Sequence, residues 1–539
     1  MLERQSVRSN GEERAMDRLG VWKRHGFLGK LATAAILVFI WDWMFWQQSF
    51  GLGNLGLFGL ALLAGLILVR PTIMSSRYGI GAIIATAIYC TAIVLYGSLL
   101  SFVLFWTAIS IAALMPFASH LKDGWQWLWR LAVHGLASPF TPLMDVGRVA
   151  KAWKRSEKSK LNVLAVTQLL ALPVIGGIVF LGLFVQANPV LEHLFAQISL
   201  PALDAELAGR GLIWFMIGTL IWTLFRPWRR RGPRVATPEV TPQSIKAPAL
   251  ASILLSLVVF NGLFLMQNGM DLAFMSGLVP LPDDVTLAQY AHRGAYPLIV
   301  TALLAGLFVL VLMGPSSEAA QDKRARRLVS AWIAQNVLLV VSSIIRTWDY
   351  VEAYSLTELR IAALAWMVLV GVGLALICWR LLRAKSGSWL INANLWAAGL
   401  VLTGFCFVDT RAIAAQWNVT HAKEAGGRGV ELDLCYMGTL GSGAILPLVS
   451  LEQRPLPQEF QKRVRFVREN IQRSEEAELR NMAWTWSLKH NVAAAKRAVA
   501  SLPALDLGPG DRGCDGKLIA YSMPNPASTY NPQAAHPGN

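Results

Sequence analysis

The chain has few charged residues for its length. Of its 539 residues, 15% are Asp, Glu, Lys or Arg and 54% are hydrophobic, whereas soluble globular domains contain about 25% charged residues. This composition excludes an ordinary soluble protein. The formal net charge is +16, but the basic residues lie mostly in short segments beside apolar runs, unlike the basic patch of a nucleic-acid-binding domain. We therefore expect a membrane protein without a nucleic-acid partner.

The motifs of soluble enzymes are also missing. The sequence contains no Walker A loop, no H-E-x-x-H, no paired C-x-x-C and no G-x-S-x-G elbow. Its eight histidines are scattered without metal-ligand spacing. We expect no metal, no cofactor and no ATP-driven transport by this chain alone, and we assign no catalytic residue. Whether the protein is an enzyme of another kind stays open.

Cysteine is scarce, with five residues in the whole chain. Cys90, Cys378 and Cys406 lie in apolar runs, where a thiol usually fills the core. Cys435 and Cys514 lie in the polar C-terminal part. An oxidising compartment would permit a disulfide between these two, but the sequence does not show that they meet. A disulfide and two free thiols therefore both stay open.

Long apolar runs, by contrast, are abundant. A helix that crosses the hydrocarbon core needs about 20 mostly apolar residues, and the run at 79–117 is long enough for two such helices joined by a tight hairpin at Gly97–Ser98. With that division, the runs lie near 31–49, 51–69, 79–97, 99–117, 162–186, 208–225, 249–268, 294–313, 328–345, 358–378 and 390–408. The predicted fold class is an all-α integral membrane protein with about 11 transmembrane helices and a small helical extracytoplasmic C-terminal domain.

The distribution of positive charge orients these spans. If the basic segment 1–30 is cytoplasmic, the inside segments carry 30 Lys and Arg residues and the outside loops carry four. No cleavage site follows the first apolar run, so we expect that run to be retained as a helix. The N-terminus is then cytoplasmic and the C-terminus is periplasmic or extracytoplasmic, in a bacterial plasma (inner) membrane.

The C-terminal part has a different character from the spans. We predict a helical extracytoplasmic domain over 409–522, followed by a Pro/Asn-rich disordered tail at 523–539. The segment "LCYMGTLGSGAILPLV" predicts two helices separated at Gly-Ser-Gly, and a long amphipathic stretch follows, with a break near Asn481. The apolar residues of that stretch have the spacing of a buried helical stripe: Phe460, Val464, Val467 and Ile471.

Three separate segments would place polar residues near the outer leaflet. They are the first span, the loop that contains "YAHRGAYP", and the stretch "RTWDYVEAYSLTELR" between spans nine and ten. Guanidinium groups at this depth could hold a phosphate or a carboxylate, or pair with the protein's own carboxylates. The candidate polar cluster is Asp42, Asp271, Tyr290, His292, Arg293, Tyr296, Arg346, Asp349, Tyr350, Glu352, Tyr354 and Arg360.

The spacing also predicts the local structure between spans nine and ten. We expect Arg346 to end span nine. Ser355 and Glu358 fit an S-x-x-E capping box that would start span ten at Leu356. Arg346 and Arg360 could then clasp the carboxylates between them, or hold a ligand instead.

Several segments resemble a known family. "YAHRGAYP" and "YVEAYSLTELR" resemble the bacterial domain-of-unknown-function family numbered 4173, and they are also similar to its relatives numbered 4153. "WDWMFW" in the first span and "LDLCYMGTLGSGAILPLV" support this resemblance, which covers most of the chain. The resemblance implies a polytopic bacterial membrane protein and brings no established activity.

Three functions stay open on this basis. The first is transport or flipping of an anionic or lipid-linked envelope component, with membrane lipid as a partner. The second is a membrane anchor for a periplasmic domain that binds a protein partner or senses the state of the envelope. The third is a polyprenyl-phosphate-dependent transferase, with Asp42 and Asp349 as bases and Arg293, Arg346 and Arg360 as diphosphate ligands.

Overall fold

A computed structural model describes residues 26–46, 51–118, 121, 123–142, 145, 205–227, 250–278, 300–301, 304–309, 317–500 and 511–519. These residues are almost entirely helical, and their single β-bridge joins Arg512 and Leu518. Within this part of the chain, eight helices are long and apolar enough to cross a membrane. The chain is therefore an all-helical, multi-pass membrane protein.

The first bundle contains five helices around one apolar core. They are α1 (Gly26–Phe45), α2 (Leu52–Val69), α3 (Arg77–Leu95), α4 (Leu99–Ala118) and α6 (Ala205–Phe225). A short amphipathic helix, α5 (Gly124–Ala137), lies between α4 and α6 in the sequence. Leu66, Ile109 and Phe225 are fully buried in this core. Between α3 and α4, Gly97 has φ +62°, which glycine adopts without strain. The predicted hairpin at Gly97–Ser98 is thus confirmed.

In the described residues, the second bundle contains four long helices and a core of its own, to which Ala305 and Val309 of the helical segment 304–309 also belong. The long helices are α7 (Leu250–Met275), α8 (Lys323–Tyr354), α9 (Glu358–Arg383) and α10 (Gly387–Cys406). Val329 and Leu374 are fully buried in this core. α10 also contacts α3 and α4 of the first bundle and the short amphipathic helix α5. Thr403 on α10 shares a hydrogen bond of 2.9 Å with Tyr89 on α3. α10 therefore joins the two bundles.

The tail helices form a third core. They are α11 (Thr410–His421), α12 (Leu434–Thr439), α13 (Ser442–Glu452), α14 (Gln458–Arg480) and α15 (Trp486–Ala498). α12 and α13 are separated at the predicted glycine break, and α14 ends next to Asn481, as the sequence indicates. Val464, Val467 and Ile471 of the predicted stripe are buried in this core, and Phe460 packs against it.

Eight of the eleven predicted spans correspond to helices that meet the criterion for crossing a membrane. The run at 208–225 is helical as part of α6, but its apolar portion, Gly209–Phe225, is one of the shorter apolar helices. The run at 162–186 lies outside the described residues, as does most of 294–313. The total of eleven spans stays a prediction.

The helix of predicted span nine does not end at Arg346. α8 continues for two more turns, to Tyr354, because this extension has a buried side of its own. Val351 on the extension is fully buried and belongs to the core of the tail helices. The charged residues after Arg346 therefore lie on a helix, where the sequence predicts a loop.

The apolar run 358–378 begins where its helix begins, but the capping-box start at Leu356 is displaced. α9 begins at Glu358, and the hydroxyl oxygen of Thr357 accepts the N–H of Arg360 as the N-cap. Ser355 has φ +70° and forms the turn between the two helices. The helix therefore starts two residues after Leu356, with a threonine cap in place of the predicted serine.

Candidate functional site

Asp42 is buried in α1 and forms an ion pair with Arg210 of α6. The Nε of Arg210 donates to Asp42 Oδ1 at 2.9 Å, and its Nη2 donates to Oδ2. The indole N–H of Trp214 donates to the same carboxylate at 2.8 Å. Asp42 is 5% exposed, and a carboxylate in an apolar helix is costly unless it is paired. The sequence predicted the need for a partner but did not identify Arg210.

Arg210 is more accessible than its partner. Its side chain is 35% exposed, and its guanidinium lies 5.0 Å from the ring centroid of Trp46 and 5.4 Å from that of Trp214. A guanidinium between two aromatic faces is held by cation–π attraction. Arg210 is therefore fixed in orientation although it is partly exposed.

An apolar cavity of about 420 Å³ lies among α1, α2, α4 and α6. Its wall includes Trp41, which is adjacent in sequence to Asp42, and Ile217, two helical turns after Arg210. Aromatic and aliphatic side chains form most of the surface, and the hydroxyl of Ser98 is present at the α3–α4 hairpin. An apolar cavity near one ion pair is suited to a ligand with an apolar chain and a polar end.

Asp271 of α7 forms a second buried ion pair, with Arg346 of α8. Nη2 of Arg346 lies 3.2 Å from Asp271 Oδ2. The carboxylate also accepts hydrogen bonds from Ser342 at 2.8 Å and Gln267 at 3.1 Å. Arg346 donates further to Ser343 at 3.1 Å. The structure thus brings two residues of the predicted polar cluster together between parallel helices.

Arg360 closes the turn between α8 and α9. Its guanidinium donates to the carbonyl oxygens of Tyr354, at 2.6 Å, and Ser355. It also lies 4.0 Å from the ring centroid of Tyr350. Arg360 therefore meets two tyrosines of the predicted cluster.

The carboxylates near this turn have different surroundings from those expected. Glu352 accepts the indole N–H of Trp348 at 2.9 Å, and Asp349 is exposed on α8. Arg346 is directed to Asp271, as shown above, because α8 continues as a helix beyond it. The arrangement differs from the expected clasp of Asp349 and Glu352 by two arginines.

The remaining members of the predicted cluster, Tyr290, His292, Arg293 and Tyr296, lie outside the described residues. Asp42 and Asp271 have separate sets of hydrogen-bond partners, one set in each bundle. Asp42 and Asp271 of the predicted cluster therefore belong to two separate ion pairs, and the partner of Asp42, Arg210, is not a member of that cluster.

The tail helices contact the same end of both bundles. The indole N–H of Trp484 donates to Asn54 Oδ1 at 2.9 Å, and the carbonyl oxygen of Trp484 accepts the N–H of Gly53 at 2.7 Å. At the α8–α9 turn, Asn418 accepts the N–H of Leu356 at 2.7 Å and donates to its carbonyl oxygen at 2.9 Å. The tail helices therefore bridge the two bundles.

Cys435 and Cys514 form a disulfide in the structure, with their Cα atoms 4.8 Å apart. The bond attaches segment 511–519 to α12. Arg463 of α14 holds the same segment by donating to the carbonyl oxygens of Gly513, at 3.0 Å, and Cys514, at 2.8 Å. Cys90, Cys378 and Cys406 are free thiols.

His134 and Tyr436 are among the titratable groups outside the candidate spans whose pKa values are shifted. Burial, together with the nearby charge of Arg130, lowers the pKa of His134 in α5 to about 4. Burial raises the pKa of the Tyr436 phenol, whose oxygen accepts the N–H of Glu358 at 3.1 Å. Both shifts favour the neutral form, so neither group carries charge at neutral pH.

No group of three or more His, Cys, Asp or Glu residues in the described ranges is placed to hold a metal ion. A family model described as "Domain of unknown function (DUF4153)" matches residues 82–451. The match is to the family numbered 4153, and membership of the family numbered 4173 stays an expectation. The chain matches no curated protein and no solved structure.

Proposed function

The chain is a multi-pass membrane protein that belongs to the family described as domain of unknown function (DUF4153), and we propose that it transports or flips an anionic, lipid-linked component of the bacterial envelope. The observation that carries this proposal is the apolar cavity whose wall includes Trp41, the residue before Asp42, and Ile217, two helical turns after Arg210 on α6. A lipid-linked molecule has an apolar chain and a charged head, and the cavity and Arg210 match these two parts.

The cavity is of a size that suits a bound chain. Small-molecule sites usually have volumes of about 300–1,000 Å³ and mostly apolar walls, and this cavity of about 420 Å³ has both properties. Phe58 and Phe105 contribute rings to its wall. An acyl or prenyl chain would bury apolar surface there without leaving a polar group unpaired.

Arg210 supplies the contact for the charged head. A guanidinium has five N–H donors and binds phosphate or carboxylate in a fork. Nε and Nη2 are used by Asp42, and the partial exposure of the side chain leaves the group open to a second anion. Asp42 balances the charge of Arg210 when no ligand is bound, and the head of the ligand would compete with it.

The proposal includes eleven spans, a cytoplasmic N-terminus and an extracytoplasmic domain at 409–522, in a bacterial inner membrane. Its support is that the turns after the first, third and ninth predicted spans all adjoin the tail helices. Gly53 and Leu356 are hydrogen-bonded to the tail, and Gly97 lies beside the side chain of Thr485. The disulfide at Cys435 suits an oxidising compartment.

A second candidate function, partner binding by the tail helices, is supported by a groove of about 580 Å³ between α11 and α13. Trp417, His421, Leu446 and Pro447 line it. A photo-cross-linker at Gln416, also in the groove, tests this function in cells. Capture of a periplasmic protein favours it, and capture of lipid alone contradicts it.

The transferase hypothesis has less support. It uses Asp42 as a base, but both oxygens of this carboxylate already accept hydrogen bonds, from Arg210 and Trp214. A general base must be within reach of the proton that it removes, and here both acceptor atoms are engaged. We therefore place transport first.

A flipping assay tests the proposed function. The purified full-length protein is reconstituted into vesicles that contain fluorescent anionic lipid or a prenyl-phosphate analogue, and a membrane-impermeant quencher measures the fraction that reaches the outer leaflet. We expect quenching to rise from about half to nearly complete for at least one substrate. An Arg210→Lys variant retains the charge but loses the forked guanidinium, so it should flip the substrate more slowly than wild type. The proposal is wrong if protein and protein-free vesicles give the same quenching for every anionic or lipid-linked substrate.

A further inference from the structure

Polar side chains lie at regular intervals along the contact between α7 and α8, which we call the seam. Asn261 and Asn268 on α7 are seven residues apart, as are Gln335 and Ser342 on α8. The helices run in the same direction, since Asn261 donates to the carbonyl oxygen of Leu328 and Asn268 to that of Gln335. A seven-residue repeat on parallel helices keeps these side chains facing one another.

Three amide oxygens in this part of the described structure have no hydrogen-bond donor: Oδ1 of Asn268, Oε1 of Gln335 and Oδ1 of Asn336. Asn268 and Asn336 are 5% and 1% exposed. Gln335 and Asn336 are consecutive, and Asn268 is hydrogen-bonded to the backbone of Gln335. The three oxygens therefore belong to one level of the seam.

The orientation of each amide is set by the hydrogen bond that its nitrogen makes. Asn268 Nδ2 donates to Gln335 O at 3.2 Å, and Gln335 Nε2 donates to Asn261 Oδ1 at 2.8 Å. Asn336 Nδ2 donates to Trp332 O at 2.8 Å. Turning any of these amides over would place its oxygen against another oxygen, so the seam has more acceptors than donors.

This level of the seam is near the middle of α8. Asn336 is about 20 Å from the start of the helix at Lys323, at 1.5 Å per residue. Neutral amides at the midplane of a membrane protein often hydrogen-bond neighbouring helices, but these three oxygens have no such partner, and coupling-ion sites of transporters are found near the midplane. The position therefore favours a ligand over incidental polarity.

We propose that the seam between α7 and α8 binds a small monovalent cation through the amide oxygens of Asn268, Gln335 and Asn336. A single water molecule could donate to two of these oxygens and accept from the indole N–H of Trp332, one helical turn before Asn336, which also has no partner, but the third oxygen would stay unpaired. A cation needs only oxygen ligands. The carbonyl oxygens of Trp332 and Gln335 have a second lone pair and can complete the ligand set.

The charge of the site selects a monovalent ion. The three proposed side-chain ligands are neutral amides, and the nearest carboxylate along α7, Asp271, is paired with Arg346. Neither kind of ion would find a compensating negative charge there, but the desolvation cost grows with the square of the charge and is about four times larger for a divalent ion. Carbonyl oxygens are also the ligands that potassium channels use for a monovalent ion.

This inference goes beyond the proposed function, because the cation site and the lipid cavity lie in different bundles. Its test uses the purified full-length protein in choline chloride at constant ionic strength, titrated with NaCl or KCl. Thermal unfolding and equilibrium binding of radioactive Na⁺ are measured. Saturable binding, with a rise in the unfolding midpoint, is the expected result.

Variants locate the site. Asn336→Leu and Asn268→Leu remove one ligand each with little change in volume, and each should weaken cation affinity at least tenfold. Asn394→Leu on α10 is the matched control, because its amide likewise donates to a backbone carbonyl of its own helix but lies outside the seam. It should bind as the wild type does.

If the leucine variants do not fold, Asn336→Asp keeps the size of the side chain and adds a carboxylate, and it should strengthen binding at least tenfold at neutral pH. The proposal is overturned if wild-type protein shows no saturable binding and the same unfolding midpoint in choline, Na⁺ and K⁺. It is also overturned if Asn336→Asp binds no more tightly than wild type.

Discussion

Arg210 and Asp42 are 168 residues apart in the sequence, yet the guanidinium of one meets both carboxylate oxygens of the other. Asp271 and Arg346 form the corresponding pair in the second bundle. Asp42 and Asp271 lie within the last turn or so of α1 and α7, at the end of each bundle that adjoins the tail helices. In the described residues, each bundle therefore has a buried aspartate paired with an arginine at its tail-facing end, and the first bundle has another Asp–Arg pair, Asp145–Arg226.

Breaking the second ion pair should destabilise the protein strongly. Asp271→Asn leaves the buried guanidinium of Arg346 without its anion, and the loss of one partner of a buried pair costs about 3–5 kcal/mol. Thermal unfolding in detergent measures the effect. The control is Asp349→Asn, which changes an exposed carboxylate on α8, the helix that contains Arg346. It should change the midpoint of thermal unfolding little. Equal midpoints for the two variants would contradict the assignment of this pair.

The contact between the tail helices and the first bundle depends on a glycine. A Cβ on Gly53 would lie 2.5 Å from the carbonyl oxygen of Trp484, so Gly53→Ala should separate the two elements. We expect faster hydrogen exchange in α15 and at the start of α2. Gly81→Ala in α3 is the control, since nothing lies within 4 Å of its added Cβ. Unchanged exchange in Gly53→Ala would show that the tail does not dock there.

Removal of the disulfide should loosen the end of the tail. Cys514→Ser opens a link between residues 79 positions apart, and loss of such a bond typically costs about 2–5 kcal/mol. Limited proteolysis should then cleave near segment 511–519. Cys378→Ser, which removes a free thiol, should leave the cleavage pattern unchanged. If non-reducing mass spectrometry finds both Cys435 and Cys514 as free thiols, the bond is absent.

His134 should make the protein sensitive to acid. Its pKa is about 4 in the folded state and 6.5 in the unfolded state, so below pH 6.5 the unfolded state binds the proton first. Stability is therefore lost as the pH falls from 6.5 to 4, by at most about 3 kcal/mol. In His134→Phe this part of the pH dependence should disappear.

The control for this pH dependence is His490→Gln, which changes an exposed histidine and should keep the wild-type profile. Unfolding midpoints are compared from pH 7 to pH 4. A His134→Phe variant that loses stability with acid as steeply as wild type would assign the sensitivity to other groups.

The sequence predicted the membrane class and most of the described spans because a run of about 20 apolar residues has the length needed to cross the hydrocarbon core as a helix. The hairpin at Gly97 was predictable for the same reason, since 79–117 is too long for one crossing. The extension of α8 was missed because a charged amphipathic turn beyond a span looks like a loop. Its buried side became visible only when Val351 met the tail helices.

Long-range pairing limited the prediction of the site. Arg210 lies in an apolar run far from Asp42, and no local pattern links the two residues. The seven-residue spacing of Asn261 and Asn268 indicates that both side chains lie on one side of α7. That they face polar groups of α8 depends on α8 running parallel to α7, which the spacing does not show. The meeting of Cys435 and Cys514 likewise depends on how α12 packs against α14, which spacing does not determine.

In the proposed function, the apolar cavity lined by Trp41 and Ile217 holds the apolar chain of an anionic lipid-type molecule. Native mass spectrometry of the full-length protein, with the bound lipid identified after ejection, tests this claim most directly. We predict that wild type and Leu212→Trp, a change on the exposed side of α6, both retain an anionic lipid. Ile217→Trp, which fills the cavity, should lose it. Equal lipid retention by all three proteins, or no anionic lipid on wild type, would contradict the claim.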